Sequence, residues 1–212
     1  MNRRLFALPA IAAASMFVAT AVHAAGKVPS TRFDMFPNAK FTACASADAK
    51  YPATASARVE RGRVNDVLDL KLEGFKPDLD FDLFTVERSP QLADGTADPA
   101  FGGNFGLAWY QSDIHVNHEG EAHVRVKTIL LDQIFGFDAG KGLAPTNTFH
   151  LGFWFNNPAD AASCGFTGVT PFNGEHQAGP LAFISRPVAA TNLGPLCTDP
   201  TTSTSGTTTC NP

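Results

Sequence analysis

Residues 56 to 60 read Ser56-Ala57-Arg58-Val59-Glu60, and residues 68 to 73 read Leu68-Asp69-Leu70-Lys71-Leu72-Glu73. In the first run Ala57 and Val59 alternate with Ser56, Arg58 and Glu60. In the second, three leucines alternate with Asp69, Lys71 and Glu73. A period of two sends successive side chains to opposite faces of a strand. Gly62 and Asn65-Asp66 supply turn residues between the runs, so this segment predicts a β-hairpin with one dry and one wet face.

The same period recurs along the chain. Residues 80 to 87 read as a strand whose apolar phase shifts between Leu83 and Phe84, as a β-bulge would cause. Further strands are predicted near 105–117, 121–130, 147–155 and 180–186, separated by segments rich in Gly, Pro, Asn and Asp. No long helix is expected. Pro158-Ala159-Asp160-Ala161-Ala162 suits a single turn with proline at its start. The expected fold is all-β: one antiparallel β-sandwich of about eight strands, immunoglobulin-like or jelly-roll in architecture, held by two disulfides.

Residues 111 to 127 (Gln-Ser-Asp-Ile-His-Val-Asn-His-Glu-Gly-Glu-Ala-His-Val-Arg-Val-Lys) place two alternating runs on either side of a glycine. A three-residue loop, His118-Glu119-Gly120, with Gly120 at positive φ keeps wet and dry side chains apart. Val116 then faces Ala122 and Ile114 faces Val124 on the dry side. On the wet side His115 faces His123 and Asp113 faces Arg125. Such partners stand about 4.5 to 5.5 Å apart at Cβ, within reach of a shared transition metal.

Before this domain, Arg3 and Arg4 precede an apolar run from Leu5 to Val22, and Val22-His23-Ala24 fits a signal-peptidase site. Residues 1–24 are therefore expected to be a signal peptide, and the protein to be secreted or periplasmic. Residues 25–196 would form the domain and 197–212 a Thr- and Ser-rich tail. About 188 residues after the leader suit one domain with a sizeable core. No integral membrane segment is expected after cleavage, since spanning takes ~20 consecutive apolar residues.

Charge narrows the partners. The 16 basic side chains include the leader's Arg3 and Arg4, while all 20 acidic ones lie beyond it. Nucleic acid is not an expected partner, because phosphate backbones need clustered Lys and Arg. Four cysteines in an exported chain favour two disulfides. The expected pairs are Cys197 with Cys210, closing a local loop, and Cys44 with Cys164, tying an early strand to a late one.

Candidate chemistry is sparse. Metal ligation would rest on His115 and His123. Asp78, Asp80 and Asp82 alternate on a strand expected to present them along a solvated edge. Phe149, Leu151, Phe153 and Phe155 would fill one strand face, leaving His150 and Trp154 on the other, where Trp beside polar groups suits stacking on a sugar ring. Glu175 and His176 sit in a loop with glycines and prolines, where binding residues gather. There is no Gly-x-Ser-x-Gly elbow and no Ser-x-x-Lys. The expected function is an exported non-enzymatic binding or structural module for an unidentified ligand or surface, with no cofactor. The alternative is a metal-binding protein, or a metal-dependent or hydrolytic enzyme, using the His115/His123 face or the Glu175-His176 loop.

Overall fold

The computed structural model describes residues 30–62, 65–128, 146, 148–168, 170 and 177–197. The strands are β1 (Ser30–Pro37), β2 (Thr54–Glu60), β3 (Asp66–Glu73), β4 (Asp80–Val86), β5 (Ala108–His115), β6 (Ala122–Thr128), β7 (Thr148–Phe155), β8 (Leu181–Ser185) and the short β9 (Leu196–Cys197). One helical turn, α1 (Thr42–Ala45), and a 3-10 helix over Pro158–Cys164 complete the described elements. Pro158 stands at the start of the 3-10 helix, and the Asn157 side chain caps it by accepting from the Ala159 amide.

The fold is all-β and antiparallel, but the expected pair of facing sheets is corrected to one. Eight strands form a single ladder in the order β5-β4-β7-β8-β1-β2-β3-β6, and β9 pairs with the start of β7. The ladder curls until it is nearly barrel-shaped, bringing its end strands β5 and β6 beside each other. Strand twist makes such curling natural, and it lets one sheet bury its own dry face.

The β2–β3 hairpin follows the sequence reading, with Ala57 opposite Leu70 and Val59 opposite Leu68. Its turn is anchored by Asp66, which is buried and accepts from the Arg61 guanidinium at 3.0 Å and the Gly62 amide at 2.9 Å. The bulge between Leu83 and Phe84 is present in the β4–β5 ladder.

The predicted 111–127 hairpin is half right. Gly120 has φ +80°, its amide donates to the Asn117 carbonyl, and the Asn117 amide donates to the Glu121 carbonyl, which is the expected three-residue turn. Beyond the turn the two strands do not form a ladder with each other. β5 pairs with β4 and β6 pairs with β3, so His115 lies opposite Asp80, His123 opposite Lys71, and Arg125 opposite Asp69.

Cys44 and Cys164 are bonded as expected, with Cα atoms 6.2 Å apart. The bond joins α1 to the 3-10 helix rather than strand to strand. Cys197 belongs to β9, whereas Cys210, its expected partner, and residues 1–24 lie outside the described residues.

Inside the curl, Phe75 is fully buried and meets Phe81, Phe153 and Phe183, at ring-centre distances of 5.6, 6.1 and 5.2 Å. A smaller cluster of Val86, Trp154, Leu181 and Ile184 lies apart from this core, covered by Phe84, Phe105 and Ala108. It roofs β7 on the side away from the core, while β1, β2, β3 and β6 keep their outward side chains at the surface.

Candidate functional site

The structure disperses the residues singled out from sequence. His150 and Trp154 are each only 1% exposed, because β7 is covered on both faces. Phe105 and Phe84 pack edge-on against the Trp154 ring at 5.2 and 5.5 Å, so no sugar can stack there. His150 Nδ1 lies 2.9 Å from the Ser185 carbonyl, which can only accept, so that nitrogen carries the proton. Burial pushes the His150 pKa down to about 4, only partly opposed by this hydrogen bond. Glu175 and His176 lie outside the described residues.

His115 and His123 do not form the expected cross-strand pair. His115 Nδ1 is 2.7 Å from Asp80 Oδ1, while His123 Nε2 is 3.5 Å from Asp69 Oδ1. His118 in turn lies 3.1 Å from Asp78, which holds a positive φ of 61°. Among the described residues no group of three or more His, Cys, Asp or Glu side chains is placed to hold a metal ion.

The alternating aspartates do not line a solvated edge either, because β4 runs between β5 and β7. Asp80 is exposed, but Asp82 is buried and accepts from the Asn156 side-chain Nδ2 at 2.9 Å. Opposite Asp82, Asp113 accepts from the Tyr110 hydroxyl at 2.8 Å. Burial first, then the bond to Asp113, pushes the Tyr110 pKa up to about 12.

The residues that do converge are on the outward face of β1, β2, β3 and β6. Register sets them in rows across the strands. One row runs Arg32, Arg58, Asp69, Arg125, and the next runs Asp34, Ser56, Lys71, His123. In the second row Ser56 is short while its neighbours are long, which opens a depression in the surface. That depression, about 250 Å³, is lined by Arg32, Arg58, Lys71 and His123 against one carboxylate, Asp69.

Two further depressions adjoin it. One of about 280 Å³ lies toward β6 with Glu73, Asn117 and Glu121 on its wall. Another of about 590 Å³ lies further along β1, β2 and β3, walled by Asp34, Phe36, Thr54 and Glu73. The Arg186 guanidinium sits over the Phe36 ring at 3.5 Å and fixes that aromatic. Lys71 lines all three hollows, which adjoin at that side chain on the outward face of four strands and are together called the groove.

The charges of this groove are unevenly matched. Arg125 donates to both oxygens of Asp69, at 3.1 and 3.2 Å, and Arg58 forms an ion pair with Glu60. Arg32 and Lys71 have no ion pair among the described residues. Arg32 also stands directly opposite Arg58. Like charges in directly opposed strand positions are destabilising, so this pairing works against the sheet that carries it.

Comparison with protein-family models, curated proteins and solved structures found no match for the chain. The groove therefore has to be read from its own chemistry. The sequence places Arg58, Asp69 and Lys71 on the wet face of the β2–β3 hairpin but does not identify the strands that flank it. The missing strand was β1, whose Arg32 and Asp34 alternate with Phe33 and Met35 and could have been read as strand-forming.

Proposed function

We propose that this protein is an exported, non-enzymatic binding module whose ligand presents an anionic group to Arg32 and Arg58. The opposition of these two arginines supports the reading. An anion between two guanidinium groups accepts several charge-assisted hydrogen bonds and removes their mutual repulsion. Lys71 and His123 extend the same wall of donors. Export is proposed from the leader pattern, and the Cys44–Cys164 disulfide accords with an oxidising compartment. Within the tail, Cys197 and Cys210 are proposed as a second disulfide.

Titration calorimetry of the purified protein with glucuronate and with inorganic phosphate tests the proposal. Saturable binding is expected at roughly millimolar strength, as suits one small anion at an open site. Arg32→Glu should abolish it, whereas Asp113→Asn on β5 should leave it unchanged. Absence of saturable heat with both anions would reject the reading.

A further inference from the structure

The groove continues well past the arginine pair, and its composition changes as it does. Crossing from β1 to β6 takes three strand spacings, or about 14 Å. That length exceeds any single small anion. The hollow lined by Arg32, Arg58, Lys71 and His123 holds the surplus of positive charge, whereas the two adjoining hollows share Glu73, one adding Asp34 and the other Glu121. Thr54, Ser56 and Asn117 supply further uncharged donors and acceptors beside them.

This sequence of charges discriminates among long ligands. A polyphosphate or nucleic acid places a negative charge at every repeat and would set some of them against Asp34, Glu73 or Glu121. An acyl chain would leave those carboxylates desolvated and unpaired. A chain of neutral hydroxyl-bearing units with an occasional carboxylate satisfies every wall: hydroxyls donate to the flanking Asp and Glu, and the carboxylate takes the arginines. We infer that the groove across β1, β2, β3 and β6 binds an acidic oligosaccharide, its uronate between Arg32 and Arg58 and neutral sugars on either side. The inference rests on the anion-binding reading above and gives that site its ligand class.

The test uses an oligosaccharide of alternating glucuronate and N-acetylglucosamine, six units long, beside its carboxyl-reduced form and free glucuronate. Calorimetry should show the intact hexamer binding at least about tenfold more tightly than glucuronate, because the flanking sugars add contacts. Glu73→Ala should weaken the hexamer about fivefold or more, and Arg32→Glu should remove binding of both the hexamer and glucuronate. Equal affinity for hexamer and glucuronate would overturn the oligosaccharide inference while leaving anion binding in place. Equal binding of the intact and carboxyl-reduced hexamers, or binding of none of the three, would overturn both.

Discussion

Arg32 and Arg58 occupy directly opposed positions on β1 and β2, and Glu60 forms an ion pair with Arg58. Replacing Arg32 by Glu turns a repulsive cross-strand pair into an attractive one. The variant should be more stable than wild type by about 1 kcal/mol, read as a higher urea midpoint at unchanged slope. Loss of anion binding together with this gain in stability would mark the arginine as retained for recognition. A destabilised Arg32→Glu would show that the pair is not under strain.

Gly120 is constrained twice over. Its φ of +80° disfavours any side chain, and a Cβ built there would lie 2.4 Å from the Phe75 carbonyl oxygen. Gly120 also receives the Phe75 amide at its own carbonyl, 3.0 Å away, so moving its backbone disturbs the central core ring. Gly120→Val should destabilise by about 2 to 4 kcal/mol in chemical denaturation. A loss under 1 kcal/mol, about the strain of one residue, would mean the turn relaxes freely.

His150 should make the fold acid-sensitive in a defined window. The folded-state pKa is depressed to about 4 from an ordinary 6.5, so the folded ring stays neutral where the unfolded one takes up a proton. Its contribution is fully present above pH 6.5, falls as pH drops toward 4, and levels off below that. The loss across the window is of order 3 kcal/mol. Urea midpoints at pH 7 and near pH 4.5 should therefore fall further apart in wild type than in His150→Gln. Parallel behaviour of the two proteins would show that another group carries the acid response.

The Cys44–Cys164 bond spans 120 residues of chain. Closing so long a loop stabilises by about 4 to 5 kcal/mol in the chain-entropy model. Cys44→Ala with Cys164→Ala should show a loss of that order in reversible denaturation. Peptide mapping without reductant should recover the native pair in one linked fragment. A free thiol at either position in native protein would contradict the bond.

Much of the strand content was legible because alternation reports directly on which face is dry. Ala57, Val59, Leu68, Leu70 and Leu72 all point inward as their spacing demanded. Alternation does not report on partners. His115 and His123 were correctly placed on outward faces, yet their strands take partners from β4 and β3, a choice made by the closure of the whole sheet. Burial of His150 and Trp154 was missed for a related reason. The segment that covers Trp154, carrying Phe101 and Phe105, has no period of its own, and His150 is buried against Ser185 of a strand far off in sequence. A signal was nonetheless present, since the run from Phe149 to Phe155 has no Asp, Glu, Lys or Arg on either face, as suits a strand covered on two sides. The groove could not be read because its rows combine four strands, one of them unrecognised.

Strand order also bears on how the molecule is made. β2 and β3 are joined by a short turn, and hairpins of that kind form in microseconds. β1, the first strand, pairs on its other edge with β8, with Phe36 opposite Ile184. During synthesis β1 must therefore keep that edge unpaired with β8 until the chain has emerged past residue 185. Pairing strands so distant in sequence carries a high loop-closure cost, and a polypeptide cut short before Leu181 would be left with an open, sticky edge on β1 rather than a smaller barrel.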